Sequence, residues 1–373
     1  MKTVYIFCNS ENKQSSNYIQ FGAAGSSLGR YLASAIGQSE EYSTVILNLG
    51  SPSKKRKSVR NTKIYSETNF KIVEFKSLSK ILPSFMRAKK VLREAVKYLK
   101  RNFKEGDKVL IYHSLFYSTK YKKILDIAGV KNSLLFVAEI YSDVFNKTKL
   151  KRNSEIKYIR LFDKFICMSK NLSKICCDDS NKQCILLFGA YSSNIQAKKT
   201  SNNKINIVYS GTASRIKNGL YMAIEAMEYL DSNFLLHIYC PATQSALEAM
   251  KDKKNIVYEG YLSESLLNEA LPNFHIGLAS QDPFGDFNSS SFPSKIIKYL
   301  SCGLSVVSSA SISVIDSPFA DVVKIFDPYD PERLAESIIE ASKKINPRDN
   351  IQIIEKMDYD FKIDVIKLID KEE

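Results

Sequence analysis

Several features that define large classes of protein are missing from this sequence of 373 residues. No apolar run approaches the roughly 18 residues of a membrane-spanning helix. The apolar start of the chain is shorter than a signal peptide core and lacks a cleavage site. Only three histidines occur, and the seven cysteines form no C-x-x-C pair, which argues against a metal site or a disulfide framework. We therefore expect a cytoplasmic protein without a metal, whose cysteines are small buried hydrophobic residues.

The composition is that of a globular protein, but its charge is uneven. Apolar residues make up 44% of the chain and charged residues 25%, both ordinary values, and at about 150 residues per domain the length predicts two domains. Residues 1–200 carry 37 lysines and arginines against 15 acidic residues, whereas residues 201–373 carry 17 against 25. This asymmetry predicts an anionic partner for the N-terminal half.

One basic segment of that half has the pattern of an amphipathic helix. Apolar residues recur at helical spacing from 85 to 103. The other face is expected to be basic, with Arg87 among its cations. It is either a solvated surface helix or a helix lying near anionic lipid head groups, where each cation contributes about 1 kcal/mol. No helix-turn-helix, zinc-finger or RNP-type motif accompanies the charge, so we do not expect nucleic acid as a partner. The side chains expected to face an acidic membrane are Lys89, Lys90, Arg93 and Lys97.

Short β-rich runs alternate with helical patterns along the whole chain. Continuous apolar strands between helices are typical of parallel sheets covered on both faces. A polar stretch over residues 191–204 divides the pattern in two. We predict an α/β fold with two Rossmann-like doubly wound domains, residues 1–190 and 204–345, facing a cleft. Residues 346–373 form a helical segment that could pack back on the N-terminal domain.

The first candidate anion site follows the first strand of the second half. Gly211 ends an apolar run, and Arg215, Lys217, Asn218 and Gly219 lead into the next helical pattern. A turn with two cations before a helix N-terminus suits a diphosphate. A surface turn with solvated cations explains the pattern equally well.

A second loop in the same half combines hydroxyl groups with a cation. Ser290, Ser291 and Phe292 precede Pro293, a residue that suits a first helical turn, and Lys295 follows. The free backbone N–H groups of such a turn favour an anion. The two loops together predict a site for a phosphorylated ligand in the C-terminal half.

The stretch from Phe292 to Val307 resembles the P-x-K-x-x-x-Y-L-x-x-G-x-P-V-V segment of glycosyltransferases with two Rossmann domains, the GT-B fold. The resemblance is to the retaining family-four type and its relatives in bacterial surface-polysaccharide synthesis. The loop from Gly211 to Gly219 is similar to the family's phosphate loop, and residues 255–261 and 326–335 resemble two further family segments. Gly25 fits the family's glycine pattern after the first strand.

The chain departs from this family at its two motif glutamates. Those positions hold Ser290 and Lys298. The second glutamate of the family holds ribose hydroxyls, an acceptor role that a lysine cannot perform. Lys298 therefore either approaches a phosphate of the donor or is a solvated helix residue.

The resemblance implies a glycosyltransferase that moves a sugar from a nucleoside diphosphate sugar to a lipid-linked or oligosaccharide acceptor at the inner membrane face. It implies retention of configuration and no cofactor. No D-x-D motif stands in an expected catalytic loop, so we expect no essential metal. In the N-terminal half, His113 and Glu139 end predicted strands and are candidate catalytic residues, Glu139 to orient or deprotonate an acceptor hydroxyl. Alternatives are a nucleotide-sugar 2-epimerase and a non-catalytic nucleotide- or membrane-binding partner of an assembly complex.

Overall fold

The computed structural model describes residues 1–10, 19–20, 23–52, 61–76, 84–118, 120–178, 181–192, 204–213, 219–284, 290–344 and 347–371. The chain divides into two compact units. The first unit comprises Met1–Met168, Leu172–Ala190 and Asp360–Glu373, and the second comprises Ser169–Asn171 and Tyr191–Tyr359.

The strands are short, and most of them follow the β-rich runs of the sequence. In chain order they are β1 (Lys2–Cys8), β2 (Ile19–Gln20), β3 (Tyr42–Asn48), β4 (Ser51–Pro52), β5 (Lys63–Ser66), β6 (Phe70–Glu74), β7 (Lys108–Tyr112), β8 (Ser133–Val137), β9 (Lys164–Cys167), β10 (Gln183–Leu186), β11 (Ile205–Ser210), β12 (Phe234–Tyr239), β13 (Ile256–Gly260), β14 (Ile276–Ala279), β15 (Ser305–Ser309) and β16 (Val323–Phe326).

Helices connect most of these strands. They are α1 (Ala23–Gly37), α2 (Ser84–Asn102), α3 (Leu115–Ser118), α4 (Tyr121–Ala128), α5 (Tyr141–Val144), α6 (Lys149–Ile159), α7 (Lys170–Cys176), α8 (Leu220–Ala226), α9 (Gln244–Met250), α10 (Glu264–Ala270), α11 (Lys295–Ser301), α12 (Ile312–Ile315), α13 (Pro331–Ser342) and α14 (Pro347–Asp370). Two 3₁₀ turns, Met227–Tyr229 and Leu271–Asn273, extend α8 and α10.

Each unit is built on one twisted parallel sheet. The first has the order β10-β9-β8-β7-β1-β3-β6-β5 and is parallel except for β5, which pairs antiparallel with β6. The second has the order β13-β12-β11-β14-β15-β16 and is parallel throughout. The prediction of two doubly wound α/β domains is confirmed. It holds because parallel strands joined by helices are covered on both faces and therefore need continuous apolar runs.

The central strands carry the cores. Ile6, Leu110 and Phe136 are fully buried in the first sheet, and Ile207 and Leu278 in the second. Burying one such side chain contributes roughly 1.5–3 kcal/mol relative to exposure. The carboxyl ends of these strands are thereby fixed, and ligands of doubly wound sheets bind at that edge.

Helix α2 is amphipathic as predicted. Leu92, Ala95 and Leu99 are buried on its apolar side. The expected basic face needs one correction, because Arg87 is only 4% exposed and belongs to the buried side. Arg87 lies one helical turn before Val91, which is also buried, so its position on the helix decides its burial more than its charge does.

The cysteines are all free thiols. Five are buried, as expected, while Cys177 and Cys184 are half-buried. Among the described residues, no group of three or more His, Cys, Asp or Glu side chains could hold a metal ion. None of the helices in the described ranges combines the length and the apolar character needed to cross a membrane.

The last part of α14 packs on the first unit. The Tyr42 hydroxyl donates to the Asp370 carboxylate, and the Lys164 ammonium donates to the carbonyl of Ile369 at 3.2 Å. Val365 and Ile369 on the same helix are fully buried. These contacts hold the C-terminal helical segment against the first sheet.

Candidate functional site

The carboxyl end of β11 is fixed by a tyrosine from helix α11. The Tyr299 hydroxyl lies 3.0 Å from the backbone nitrogen of Ser210, which donates to it, and 3.0 Å from the Ser210 hydroxyl. The Tyr299 ring approaches β14 so closely that a Cβ on Gly277 would lie 2.3 Å from it. The tyrosine of the Phe292–Val307 motif therefore joins α11 to two neighbouring strands.

Lys295 lies one helical turn before Tyr299 and points to the same strand end. Its ammonium is 4.6 Å from the centre of the Tyr209 ring, a cation–π contact. The Nζ atom is buried and has no hydrogen-bond partner among the described residues. Burial lowers the pKa of this ammonium to about 8, although the Cys240 thiol nearby acts in the opposite direction. A buried cation with unused donors is the chemistry of an anion site.

Two glycines stand at the ends of the loop between β11 and α8. A Cβ on Gly211 would lie 3.1 Å from Lys295 Nζ, so glycine leaves room for the lysine at the strand end. Gly219 has φ +65° at the start of α8, and a Cβ there would lie 1.5 Å from the carbonyl oxygen of Ser280. The Ser280 hydroxyl donates to the Gly219 carbonyl at 3.0 Å. Only glycine fits this approach of α8 to the carboxyl end of β14.

The serine loop before α11 is buried. Ser290 is 2% exposed, Ser291 8% and Phe292 3%. The Ser313 hydroxyl donates to the Ser291 carbonyl at 3.0 Å, and Phe292 packs against Phe319 with ring centres 6.0 Å apart. Contact of these three residues with a donor stays a prediction.

Lys298 forms an ion pair with Glu264 of α10. Its ammonium lies 3.2 Å from the Glu264 carboxylate, and both side chains are half-buried. The pair gives Lys298 a partner that the sequence did not predict. Contact of Lys298 with a phosphate also stays a prediction, and its ammonium is already neutralised by a carboxylate.

Three residues of the loop that is predicted to bind a diphosphate, Arg215, Lys217 and Asn218, lie outside the described residues. The two ends of their loop, Gly211 and Gly219, are described, and Gly211 lies beside the Lys295 ammonium.

Gly25 and Glu139 lie at the carboxyl edge of the first sheet. Gly25 is in the first turn of α1, where a Cβ would be 3.6 Å from the Tyr112 hydroxyl, an ordinary contact distance. Glu139 is half-buried in the loop between β8 and α5. Burial raises the pKa of Tyr112 well above its usual value, and the charges of Tyr141 and Glu139 act in the same direction. The structure thus places Gly25 and Glu139 around the end of β7, although Gly25 shows no close approach that requires glycine.

His113 is fully buried, and both of its ring nitrogens have partners. Nε2 lies 2.7 Å from the Glu155 carboxylate and Nδ1 lies 2.8 Å from the Tyr121 hydroxyl. The same carboxylate accepts the backbone N–H groups of Tyr141 and Ser142 at 2.9 and 2.8 Å. Burial acts to raise the pKa of Glu155, but the hydrogen bonds from His113 and Ser142 outweigh it and lower that pKa. In this arrangement His113 positions the loop after β8 through Glu155, while its predicted catalytic role stays a prediction.

Glu155 and Glu264 are the two residues of this geometry that sequence reasoning missed. Glu155 lies in α6, a helix without a clear apolar stripe. Its neighbours at positions 152, 153, 154 and 157 are polar, so the sequence offers no sign that this carboxylate is buried. Glu264 follows Ser263, whose hydroxyl accepts the N–H of Leu266. A glutamate in the first helical turn ordinarily interacts with the helix dipole. The sequence position of Glu264 therefore gives no sign of its pairing with Lys298.

The predicted membrane-facing side chains lie on α2. Lys89, Arg93 and Lys97 are exposed and Lys90 is half-buried. Glu94 pairs with Lys90 at 3.0 Å and with Lys97 at 3.3 Å. The face therefore stays predominantly basic in the folded protein.

No protein-family model and no curated protein matches the chain, but solved structures do. Sucrose-phosphate synthase from Thermosynechococcus elongatus matches with a TM-score of 0.72 at 10% identity, over 99% of each chain. Trehalose-6-phosphate synthase from E. coli bound with UDP-2-fluoro glucose gives 0.66 at 11% identity, over 100% of each chain. Lipopolysaccharide outer core galactosyltransferase WaaB gives 0.60 at 15% identity, over 97% of this chain and 99% of its own.

This chain has the GT-B fold. The suspected likeness to GT-B glycosyltransferases is confirmed at the level of the fold. In GT-B terms, β11, α8 and α11 belong to the second Rossmann-like domain, and the loop that contains Glu139 belongs to the first.

Proposed function

We propose that this protein is a glycosyltransferase that binds a nucleoside diphosphate sugar in its second unit and transfers the sugar to a saccharide acceptor. The observation that carries the proposal is the buried Lys295 ammonium, which has no hydrogen-bond partner among the described residues. It lies at the end of β11, the edge where doubly wound sheets bind ligands. The fold supports the same conclusion, since the structural neighbours reported above are named as glycosyl-transferring enzymes.

The reaction needs fixed positive charge more than covalent help. When the bond from the anomeric carbon to the diphosphate breaks, negative charge builds up on the leaving oxygens. Lys295 would donate to those oxygens from a position that Gly211 and Tyr209 fix in advance. Arg215 and Lys217 would add further positive charge around the diphosphate. We propose that transfer retains the anomeric configuration and uses neither a metal nor a cofactor.

The acceptor that we propose is a lipid-linked or oligosaccharide chain of surface polysaccharide synthesis. One neighbour is named for lipopolysaccharide outer core, and two are named for sugar phosphates. Glu139, half-buried at the carboxyl edge of the first sheet, would orient the acceptor hydroxyl or take its proton. The exposed cations of α2 would hold the protein on the acidic cytoplasmic face of the membrane.

The activity is tested by incubating the purified chain with a panel of nucleoside diphosphate sugars, with and without a membrane lipid extract as acceptor. We expect release of nucleoside diphosphate from at least one donor, faster when the extract is present. Lys217→Ala and Lys295→Met should each reduce that release at least tenfold. A protein that binds a donor but releases nothing would be a non-catalytic partner, and a protein that binds no donor contradicts the proposal.

The membrane contact is tested by sedimentation with liposomes. Attraction between exposed charges falls off within about 8 Å at physiological salt, so only cations that lie at the membrane contribute to binding. Replacing Lys89, Lys90, Arg93 and Lys97 by glutamine should therefore reduce binding to acidic liposomes. The matched control replaces four exposed lysines of the same unit, Lys122, Lys123, Lys147 and Lys149. Donor affinity should be unchanged in both variants. Equal loss of sedimentation in both would show that net charge, and not α2, determines membrane binding.

A further inference from the structure

Four of the seven free cysteines lie together in the first unit, in the segment β9–α7–β10. This thiol cluster consists of Cys167, Cys176, Cys177 and Cys184. The register of β9 and β10 places Cys184 opposite Phe165, two residues before Cys167. Side chains alternate between the two faces of a strand, so Cys167 and Cys184 lie on the same face of the sheet. Helix α7 connects the two strands and ends at the other two cysteines.

The thiols of the cluster are hydrogen-bonded to one another. Cys184 shares hydrogen bonds with Cys167 and with Cys177, and Cys167 shares one with Cys176. The Cys184 sulfur also lies 3.4 Å from the carbonyl oxygen of Ile185, to which the protonated thiol donates. Thiols in hydrogen-bonding contact can form a disulfide when the two side chains approach to the S–S bond length of about 2.05 Å.

Access to solvent divides the cluster into two pairs. Cys167 and Cys176 are fully buried, whereas Cys177 and Cys184 are half-buried. A dissolved oxidant therefore reaches the second pair and not the first. Among the described residues these thiols do not form a group that could hold a metal ion, which leaves their own redox chemistry.

The hydrogen bonds give the two accessible thiols different roles. Those from Cys167 and Cys177 lower the pKa of Cys184, although burial acts in the opposite direction. The hydrogen bond to Cys184 raises the pKa of Cys177, and burial adds to that effect. The thiolate is the nucleophilic form of a cysteine. Cys184 is thus the nucleophile of the pair, and Cys177 is the thiol that stands beside it.

We propose that Cys184 and Cys177 form a reversible oxidation site, which a peroxide converts into a disulfide. Cysteines that sense oxidants are accessible, favour the thiolate and have a second cysteine next to them. The pair meets each of these conditions. It uses no residue of the proposed donor site, because the thiol cluster belongs to the first unit and Lys295 to the second.

The reaction with hydrogen peroxide has two steps. The Cys184 thiolate attacks one peroxide oxygen, the O–O bond breaks, and the other oxygen leaves as hydroxide and takes up a proton to become water. Cys184 is then a sulfenic acid. The Cys177 sulfur attacks the Cys184 sulfur, so that the S–S bond forms, the S–O bond breaks, and the hydroxyl leaves as water with the Cys177 proton. The two cysteines lose two electrons, which the peroxide gains, and a dithiol reductant reverses the change by thiol–disulfide exchange.

The test treats the reduced full chain with one equivalent of hydrogen peroxide, alkylates the remaining thiols and maps the cysteines by mass spectrometry. Trypsin cleaves after Lys174 and Lys182, so Cys184 is released on a different peptide from Cys176 and Cys177. We expect two of the seven thiols to be lost and these two peptides to be joined. Dithiothreitol should restore both thiols.

Variants of two adjacent cysteines assign the bond. Cys177→Ser should abolish the cross-link and leave a sulfenic acid on Cys184 that dimedone traps, whereas the matched control Cys176→Ala should keep the cross-link. Cys184→Ser should slow the loss of thiols at least tenfold. Fragmentation of the joined peptides from the parent identifies the bonded cysteines without any substitution.

Several results would overturn the proposal. One is a folded parent that loses no thiol at a peroxide concentration that oxidises free cysteine. Others are a cross-link through Cys167 or Cys176, a cross-link between two copies of the chain, and oxygen added to a single cysteine of the parent without a cross-link. Equal rates of thiol loss in the parent and in Cys184→Ser would also contradict the role of Cys184 as nucleophile.

Discussion

The two units of this molecule differ in the hydrogen bonding of a buried charged group. In the first, the Glu155 carboxylate accepts hydrogen bonds from His113 and from the N–H groups of Tyr141 and Ser142. In the second, the Lys295 ammonium is buried with no hydrogen-bond partner among the described residues. A buried charge is stable when it is paired and costly when it is not. We therefore interpret Glu155 as a group that stabilises the fold, whereas Lys295 is the group that we propose to bind a ligand.

The largest effect on stability should come from breaking the satisfied network. Glu155→Ala leaves His113 and two backbone N–H groups without their acceptor, and removing one partner of a buried pair costs about 3–5 kcal/mol. Urea unfolding measures the loss. Glu94→Ala, which removes a carboxylate on the surface of α2, is the control and should cost less than about 1 kcal/mol. Equal costs in the two variants would mean that the buried network contributes no more than a surface ion pair.

The pH dependence of that network has a definite sign. The pKa of Glu155 is lowered in the folded protein, so the unfolded chain binds more protons as the pH falls. The contribution of Glu155 to stability is therefore present above its unfolded pKa and is lost as the pH falls through its folded pKa. The parent should lose more stability than Glu155→Gln between neutral and acidic pH. Parallel stability curves for the two proteins would contradict this assignment.

Removal of Lys295 should have the opposite effect on the free protein. Lys295→Met deletes a desolvated charge at the expense of one cation–π contact of about 0.5–2 kcal/mol. We expect ligand-free stability that is unchanged within about 1 kcal/mol or raised, together with donor affinity at least tenfold weaker, or about 1.4–3 kcal/mol for a charge-assisted contact. Thermal unfolding and titration with a donor measure the two quantities. A strong loss of ligand-free stability would mean that Lys295 has a structural role, as Glu155 does.

The lowered pKa of Lys295 predicts where donor binding changes with pH. A pKa of about 8 means that the cation is lost between pH 7 and pH 9, so donor affinity should fall over that range. It should stay constant in Lys295→Arg, because arginine keeps its charge. The stability of the ligand-free protein should change with pH in the opposite direction. Because the lysine of the unfolded chain holds its proton up to its ordinary pKa, the free energy of unfolding should rise with pH above about 8. A donor affinity that is flat to pH 9 in the parent contradicts the assignment.

The smallest expected effect concerns Lys298 and Glu264. Their half-buried ion pair should couple the two residues by no more than about 1 kcal/mol in a double-mutant cycle. Lys298→Glu should lower stability through repulsion from Glu264, and Lys298→Glu with Glu264→Lys should restore it. Donor affinity measured in the same variants tests whether Lys298 also contacts a phosphate. If donor binding falls in both the single and the swapped variant while stability recovers, Lys298 contacts the donor.

Much of the fold could be predicted from sequence because parallel sheets leave a strong pattern. The apolar-rich runs at residues 3–8 and 234–239 predict two strands, and the structure has these strands at Lys2–Cys8 and Phe234–Tyr239. The edge strand β5 was not predicted. Three of its four residues are exposed, so it has neither a buried run nor a strict alternation of apolar and polar residues.

The candidate site could be predicted only in part. Lys295 could be predicted because it belongs to a contiguous motif. Gly219 could be predicted for the same reason, and the structure shows that the close approach of Ser280 requires a glycine there. Glu155 and Glu264 act through residues 42 and 34 positions away in the chain. Pairing over such distances depends on the packing of helices, which no local pattern encodes.

Binding of a nucleotide sugar by Lys295 is tested most directly by the ligand-induced shift of the unfolding temperature in the parent and in Lys295→Met. A ligand that binds only the native state raises its stability by mass action. We expect at least one nucleoside diphosphate sugar to raise the unfolding temperature of the parent, and the same sugar at the same concentration to have little effect on Lys295→Met. Equal shifts in the two proteins, or no shift in the parent with any donor, would contradict it.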